Sequence, residues 1–292
     1  MFADFLLHLH EDCHLSLSAI KGYKSVLNSV YRFQGVDLSL DPVLSDIIRA
    51  CGQSTPRTKI KVPAWNVDVV LKHLTSPPYE PIRESSLRHL TQKTLLLIAL
   101  ATAKRVGELQ AISVDVAFAA DNALILSYLA EFVAKTDTPA HPVPREFSIS
   151  SLSSAVGGND EERLLCPVRA ITCYLDRTRD RARPRTLFRS VRDPSRPISK
   201  AAISSFMREL IQSSHKNFPD HLASTLRVKA HDVRGVATSL LWSKNKSIAD
   251  VMAAACWRTR SIFANHYFSS IQREQNEVFS LGPIVAAGHI IP

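Results

Sequence analysis

Between residues 115 and 149 the apolar spacing of this chain changes its period. On either side, apolar residues recur every three to four positions, the spacing of helices with one buried face. Inside the window, 123–128, 131–134 and 145–149 are short β-rich runs divided by polar and proline-containing turns. A few short strands cannot bury an apolar face alone; they pair antiparallel and lay that face on helices. The order helices, short strands, helices therefore predicts a mainly α fold with a small antiparallel β-sheet.

The helical stretches divide the chain. Residues 2–50 read as helical, and within 15–33 the residues Ile20, Tyr23, Leu27, Val30 and Tyr31 share one face. Lys21, Lys24, Asn28 and Arg32 gather on another, which suits either phosphates or plain solvent. Residues 52–64 are polar, bounded by Pro56 and Pro63 and basic through Arg57, Lys59 and Lys61, which marks a linker. We place a helical domain at 1–60 and a second domain at 61–292. Helices resume at Trp65 and break at Pro77-Pro78; the apolar block 95–101 then turns toward a surface at Arg105. Residues 150–160 form a Ser- and Gly-rich loop, 166–177 and 200–213 read as helices, and three more follow around residues 231, 248 and 262.

With 292 residues and 45% hydrophobic composition the chain can fill two cores. Its formal charge of +9 and pI near 9.5 favour a polyanionic partner, nucleic acid first. Five cysteines without a C-x-x-C pair read as reduced intracellular thiols. No run approaches the ~20 apolar residues of a membrane span, so no membrane partner is expected.

The chemistry-bearing residues form a set. Arg105 is followed three residues on by Glu108; Lys135 lies at the end of a strand-like run; His231 and Arg234 stand three apart; Trp257 and Tyr267 come later. Cleaving a DNA phosphodiester by transesterification needs a nucleophile, a hold on the phosphorane's extra charge and a proton for the departing oxygen. A tyrosine supplies the first, and its phosphotyrosyl bond stores the energy for rejoining. Arginine forks supply the second, and a lysine or histidine the third. Singly, each residue has an ordinary explanation: a capping arginine, a helix-face pair, a core tryptophan, an aromatic packing face, a strand-edge lysine. Their joint occurrence favours the chemistry.

In that order the residues resemble those of the tyrosine recombinase (phage integrase) family: Arg, Lys in a β-hairpin, His-x-x-Arg, His or Trp, then Tyr. The passages 62–65, 92–96, 103–111, 165–170, 230–237 and 255–257 resemble more closely still recombinases of DIRS and Ngaro-type retrotransposons. The resemblance covers nearly the whole chain. It implies that Arg105 and Arg234 clamp the scissile phosphate, Tyr267 attacks, and Lys135 protonates the leaving 5′-oxygen. It further implies that His231 assists proton transfer, Trp257 faces the phosphate and Glu108 orients the clamp. The implied architecture is a core-binding domain, shortened by its first helix, plus a catalytic domain, closing on double-stranded DNA. The implied working form is a homotetramer on synapsed DNA, without metal or other cofactor, in the nucleus if the cell is eukaryotic. Cys256 departs from the usual glycine, and Arg145 competes with Lys135 if the hairpin register shifts.

Three other readings stand beside this one. Residues 10–14 spell H-E-x-x-H, a zinc-protease pattern that needs both histidines on one helical face and a third ligand. A recombinase fold that keeps DNA binding and has lost its chemistry is the second. A type IB topoisomerase, which uses the same phosphotyrosine chemistry, is the third.

Overall fold

The computed structural model describes residues 2–54, 65–119, 122–139, 142–152, 160–180, 183–216, 226, 228–243 and 247–254. The chain divides into two compact units, Met1–Lys61 and Val62–Pro292.

The first unit is helical: α1 (Phe2–Glu11), α2 (Leu17–Arg32), a short 3₁₀ turn (Leu38–Leu40) and α3 (Pro42–Ser54). Ser16 caps α2 by accepting the Ala19 N–H at 3.3 Å. Leu6, Leu9, Ile20, Leu38 and Leu44 form its core, with Leu27 and Tyr31 packed on the rim. Tyr23 and Val30, which the helical spacing assigned to the buried face, are 46% and 54% exposed. Three short helices cover only a narrow stripe of α2, so the outer edge of its apolar face stays in solvent. Gly52–Ser54, which the sequence assigns to the linker, instead complete α3.

The second unit is built around α5 (Leu87–Thr102), capped by Ser86 and buried at every position from Leu90 to Thr102. Helices α4 (Val67–Leu74), α6 (Val106–Gln110), α7 (Asp160–Arg163), α8 (Pro167–Arg177), α9 (Lys200–Ser214), α10 (Ala230–Ser243) and α11 (Ile248–Ala254) complete the described helices. Of these, α8, α9 and α10 pack directly on α5. The polar residues inside α5 each have a partner. Thr94 and Thr102 bond back to Leu90 and Ile98 carbonyls at 2.8 and 2.7 Å. Lys93, fully buried, donates to the Leu74 carbonyl at 2.8 Å and to Glu80, and Arg169 grips Glu80 with both forks at 2.6 and 2.9 Å.

The sheet has three antiparallel strands in the order β1 (Ile112–Phe118), β2 (Leu124–Tyr128), β3 (Glu146–Ile149). Leu124, Leu126, Phe147 and Ile149 turn inward, and Leu126 faces Phe147 across the β2–β3 pair. A mainly helical fold with a small antiparallel sheet is thus what the spacing predicted. Two details differ. β1 was not expected as a strand, and 131–134 is not one: Phe132 N–H and Asp137 N–H instead bond to Leu129 and Ala134 carbonyls at 2.9 Å each, closing turns in the β2–β3 connection. Among the described residues no helix is long and apolar enough to cross a membrane.

Candidate active site

The site grows from the end of α5. That helix closes on Ala103, whose φ of 50° is left-handed and reverses the chain without a glycine. The next two residues part company. Lys104 goes inward, buried, with its Nζ 4.7 Å from the Phe147 ring centre and 5.8 Å from that of Tyr128. Arg105 goes outward and stands at the N-cap of α6.

Glu108 holds this start in place. One carboxylate oxygen accepts the Arg105 backbone N–H at 2.7 Å, and the other accepts Arg105 Nη1 at 2.8 Å. The first of these oxygens also lies 3.6 Å from Nη1 of Arg234, whose side chain is 2% exposed. A single buried carboxylate therefore ties two guanidinium groups together from segments more than 120 residues apart. Its negative charge offsets part of their repulsion, and its two hydrogen bonds fix where the Arg105 fork points.

Arg234 is carried by α10, whose first turn is closed by Asp232 accepting the Lys229 N–H at 2.8 Å. Val233, Val236, Ala237 and Leu240 face the core, which sets the rotation of the helix. Arg234 is thereby turned inward toward Glu108, and His231, one turn earlier, sits at the exposed rim. Partial burial lowers the His231 pKa below the ordinary imidazole value, and the charges of Arg234, Arg105 and Lys135 lower it further, against a smaller opposite pull from Asp232. The imidazole is thus neutral at pH 7 and can accept a proton. Arg105, Lys135 and Arg234 are thus each within electrostatic reach of His231.

Lys135 is exposed and sits in a turn of the β2–β3 connection, not on the edge of a strand as the sequence suggested. The run before it is too short and too exposed at Val133 to pair as a strand. Arg145 does not compete for its place, because its guanidinium donates to the Phe132 carbonyl and staples the connection. Sequence reasoning overlooked Lys200, at the start of α9. A Cβ on Gly107 would stand 3.5 Å from its Cε, so this cation borders α6 beside the clamp. Only the fold brings Lys200 there, and no local pattern announces it. Trp257 and Tyr267 lie outside the described residues, as do Cys256, Arg57, Lys59 and Lys61.

In the first unit, Lys24 reaches the Ser45 hydroxyl at 3.4 Å, and Arg32, largely exposed, stands 3.9 Å from Asp37. Lys21, Lys24, Asn28, Ser39, Ser45 and the apolar Ile48 border an open cavity of about 370 Å³.

No family model and no curated protein matches the chain. Solved structures do. A Tn1549 transposon integrase in complex with transposon right end DNA superposes with a TM-score of 0.57 at 16% identity, covering 93% of this chain and 80% of that one. A lambda integrase dimer bound to a COC′ core site gives 0.50 at 16%, covering 96% and 82%. A lambda integrase tetramer bound to a Holliday junction gives 0.51 at 15%, covering 95% and 66%. At such identities the likeness concerns the backbone alone, and on that ground the chain has the fold of tyrosine recombinase catalytic domains.

Proposed function

We propose that this protein is a tyrosine site-specific recombinase that cuts and rejoins double-stranded DNA through a 3′-phosphotyrosyl intermediate. The observation that carries the proposal is Glu108, a buried carboxylate that pairs with both Arg105 and Arg234, beside a His231 whose pKa is lowered by burial and by the charges of Arg234, Arg105 and Lys135. A pair of fixed guanidinium forks suits a phosphorane, which gains charge as the attacking oxygen arrives. In this reading Tyr267 attacks phosphorus, Lys135 gives its proton to the departing 5′-oxygen, His231 accepts the tyrosine's proton, and Trp257 donates its N–H to a non-bridging oxygen.

The remaining expectations join the proposal. The first unit supplies a DNA-binding face through Lys21, Lys24 and Arg32, continued by Arg57, Lys59 and Lys61. Exchange takes place between two duplexes held by four protomers. The resemblance of several passages to DIRS and Ngaro-type recombinases supports a mobile-element origin and, in a eukaryotic cell, a nuclear place of work.

Covalent trapping tests the reading. The protein is incubated with nicked suicide duplexes, and denaturation-resistant protein–DNA adducts are sought beside Tyr267→Phe. An adduct lost in the variant supports it. Salt-sensitive binding without any adduct would leave a DNA-binding protein and overturn the enzymatic reading; relaxation of supercoils by the protein alone would point instead to a topoisomerase.

A further inference from the structure

The H-E-x-x-H stretch at 10–14 does not fold as a metal motif. Helix α1 ends at Glu11, His14 takes a left-handed φ of 50°, and His10 Nε2 is 2.9 Å from the Ser54 hydroxyl. The two histidines of the pattern therefore do not share a helical face. Among the described residues no group of three or more His, Cys, Asp and Glu side chains is placed to hold a metal ion.

The same turn assembles something else. The His8 carbonyl accepts both the Asp12 and the Cys13 N–H, at 3.0 and 3.1 Å, so the chain curls back over His8 as the helix ends. His8 Nδ1 lies 2.7 Å from Asp12 Oδ2, and His8 Nε2 lies 3.5 Å from Cys13 Sγ. An ionised carboxylate only accepts, so the Nδ1 proton is donated to Asp12 and the Nε2 lone pair faces the thiol. Nucleophile, base and orienting acid stand in line, the arrangement that activates a thiol. All three are open to solvent: the His8 and Asp12 side chains are 57% and 69% exposed, and Cys13 is exposed, whereas Cys51 and Cys166 are buried. Nothing in DNA strand transfer uses them.

We propose that Cys13 is an activated thiol, a site of covalent modification that reacts with small disulfides. The Cys13 proton passes to His8 Nε2 as sulfur attacks one sulfur of the disulfide. The S–S bond breaks, a mixed disulfide forms on Cys13, and the departing thiolate takes the proton from His8. No electrons are gained or lost overall, since the incoming disulfide is the oxidant and leaves half of itself as a thiol. Asp12 acts through His8 as a positioning residue.

Oxidised glutathione is the probe, used on the intact protein at pH 7.5 with quenched time points read by peptide mass mapping. We expect Cys13 to react roughly tenfold or more faster than the half-buried Cys173, and His8→Gln to slow it by a similar factor, the lower edge of general-base effects. Asp12→Asn, an exchange at an exposed position, should slow it by a few-fold, and Cys13→Ser should abolish the adduct. Unreactive Cys51 in each variant confirms that the first unit remains folded. If Cys13 reacts no faster than Cys173, or as fast in both His8→Gln and Asp12→Asn as in the native protein, the proposal fails.

Discussion

Replacing Glu80 with alanine strips the common acceptor from two cations. Its carboxylate takes Lys93, both forks of Arg169 at 2.6 and 2.9 Å, and the Ile82 N–H at 2.8 Å. Without it Lys93, fully buried, keeps only the Leu74 carbonyl and faces Arg169 unscreened. Removing one partner of a buried pair costs about 3–5 kcal/mol. The reverse change is far milder. Lys93→Met leaves Glu80 with Arg169 and the Ile82 amide and replaces a desolvated cation with an apolar chain of similar length, so it should stay within about 1.5 kcal/mol of the native protein. Urea unfolding followed by tryptophan fluorescence reads this unit selectively, because all three tryptophans lie beyond residue 61. The midpoint of Glu80→Ala should fall by about 1 M or more. Burial, against the opposing pull of Glu80, brings the Lys93 pKa down to about 8. Above that pH the folded lysine has released a proton that the unfolded one still holds. Native stability should therefore rise relative to Lys93→Met by up to about 1.4 kcal/mol per pH unit between about pH 8 and the ordinary lysine value. Equal damage from the two substitutions, or a difference flat with pH, would refute this account.

Three further outcomes follow from the site. Glu108→Gln keeps the shape and loses the charge that ties Arg105 to Arg234, so the rate of adduct formation on a nicked duplex should drop about 10–100-fold; an equal loss of duplex affinity would mean that Glu108 supports binding rather than alignment. Because His231 is depressed below the ordinary imidazole value, the acid limb of cleavage attributable to it should lie below pH 6.5; a pH–rate profile with that limb at or above 6.5 would contradict its role as proton acceptor. If α2 lies on phosphates, Lys24→Ala should reduce the slope of log affinity against log salt by about 1; an unchanged slope in a filter-binding titration would return that face to solvent.

What the sequence made readable is what depends on near neighbours. Helix α8 begins with Pro167 at its first turn and α9 with Ser199 as its cap, signals that act within four residues. Arg105 and Glu108 were paired by their spacing for the same reason. β1 was in fact legible and overlooked, since Ile112, Val114 and Val116 alternate with Ser113 and Asp115 at strand spacing. What the sequence hides is its outer partner, with Ser113 bridging to Thr186 and the Val114 N–H bonding to the Arg185 carbonyl at 2.8 Å. That support comes from more than 70 residues away. Lys93 reads as polar and surface-bound until Glu80 and Arg169 arrive to satisfy it. Tyr23 shows the opposite failure, a correct helical face without enough neighbouring chain to cover it.

The divergence of Lys104 and Arg105 gives the sheet a stake in the chemistry. Adjacent residues share a peptide plane, so the buried ammonium among Tyr128 and Phe147 acts as a root for the guanidinium next to it. Loosening that root lets the arginine sway, however intact its own contacts are. Trimming Phe147, buried behind the site, would then loosen Arg105 from behind. The tolerance of this protein to change in its apolar strands would be set by how still one arginine must be held, more strictly than stability alone demands.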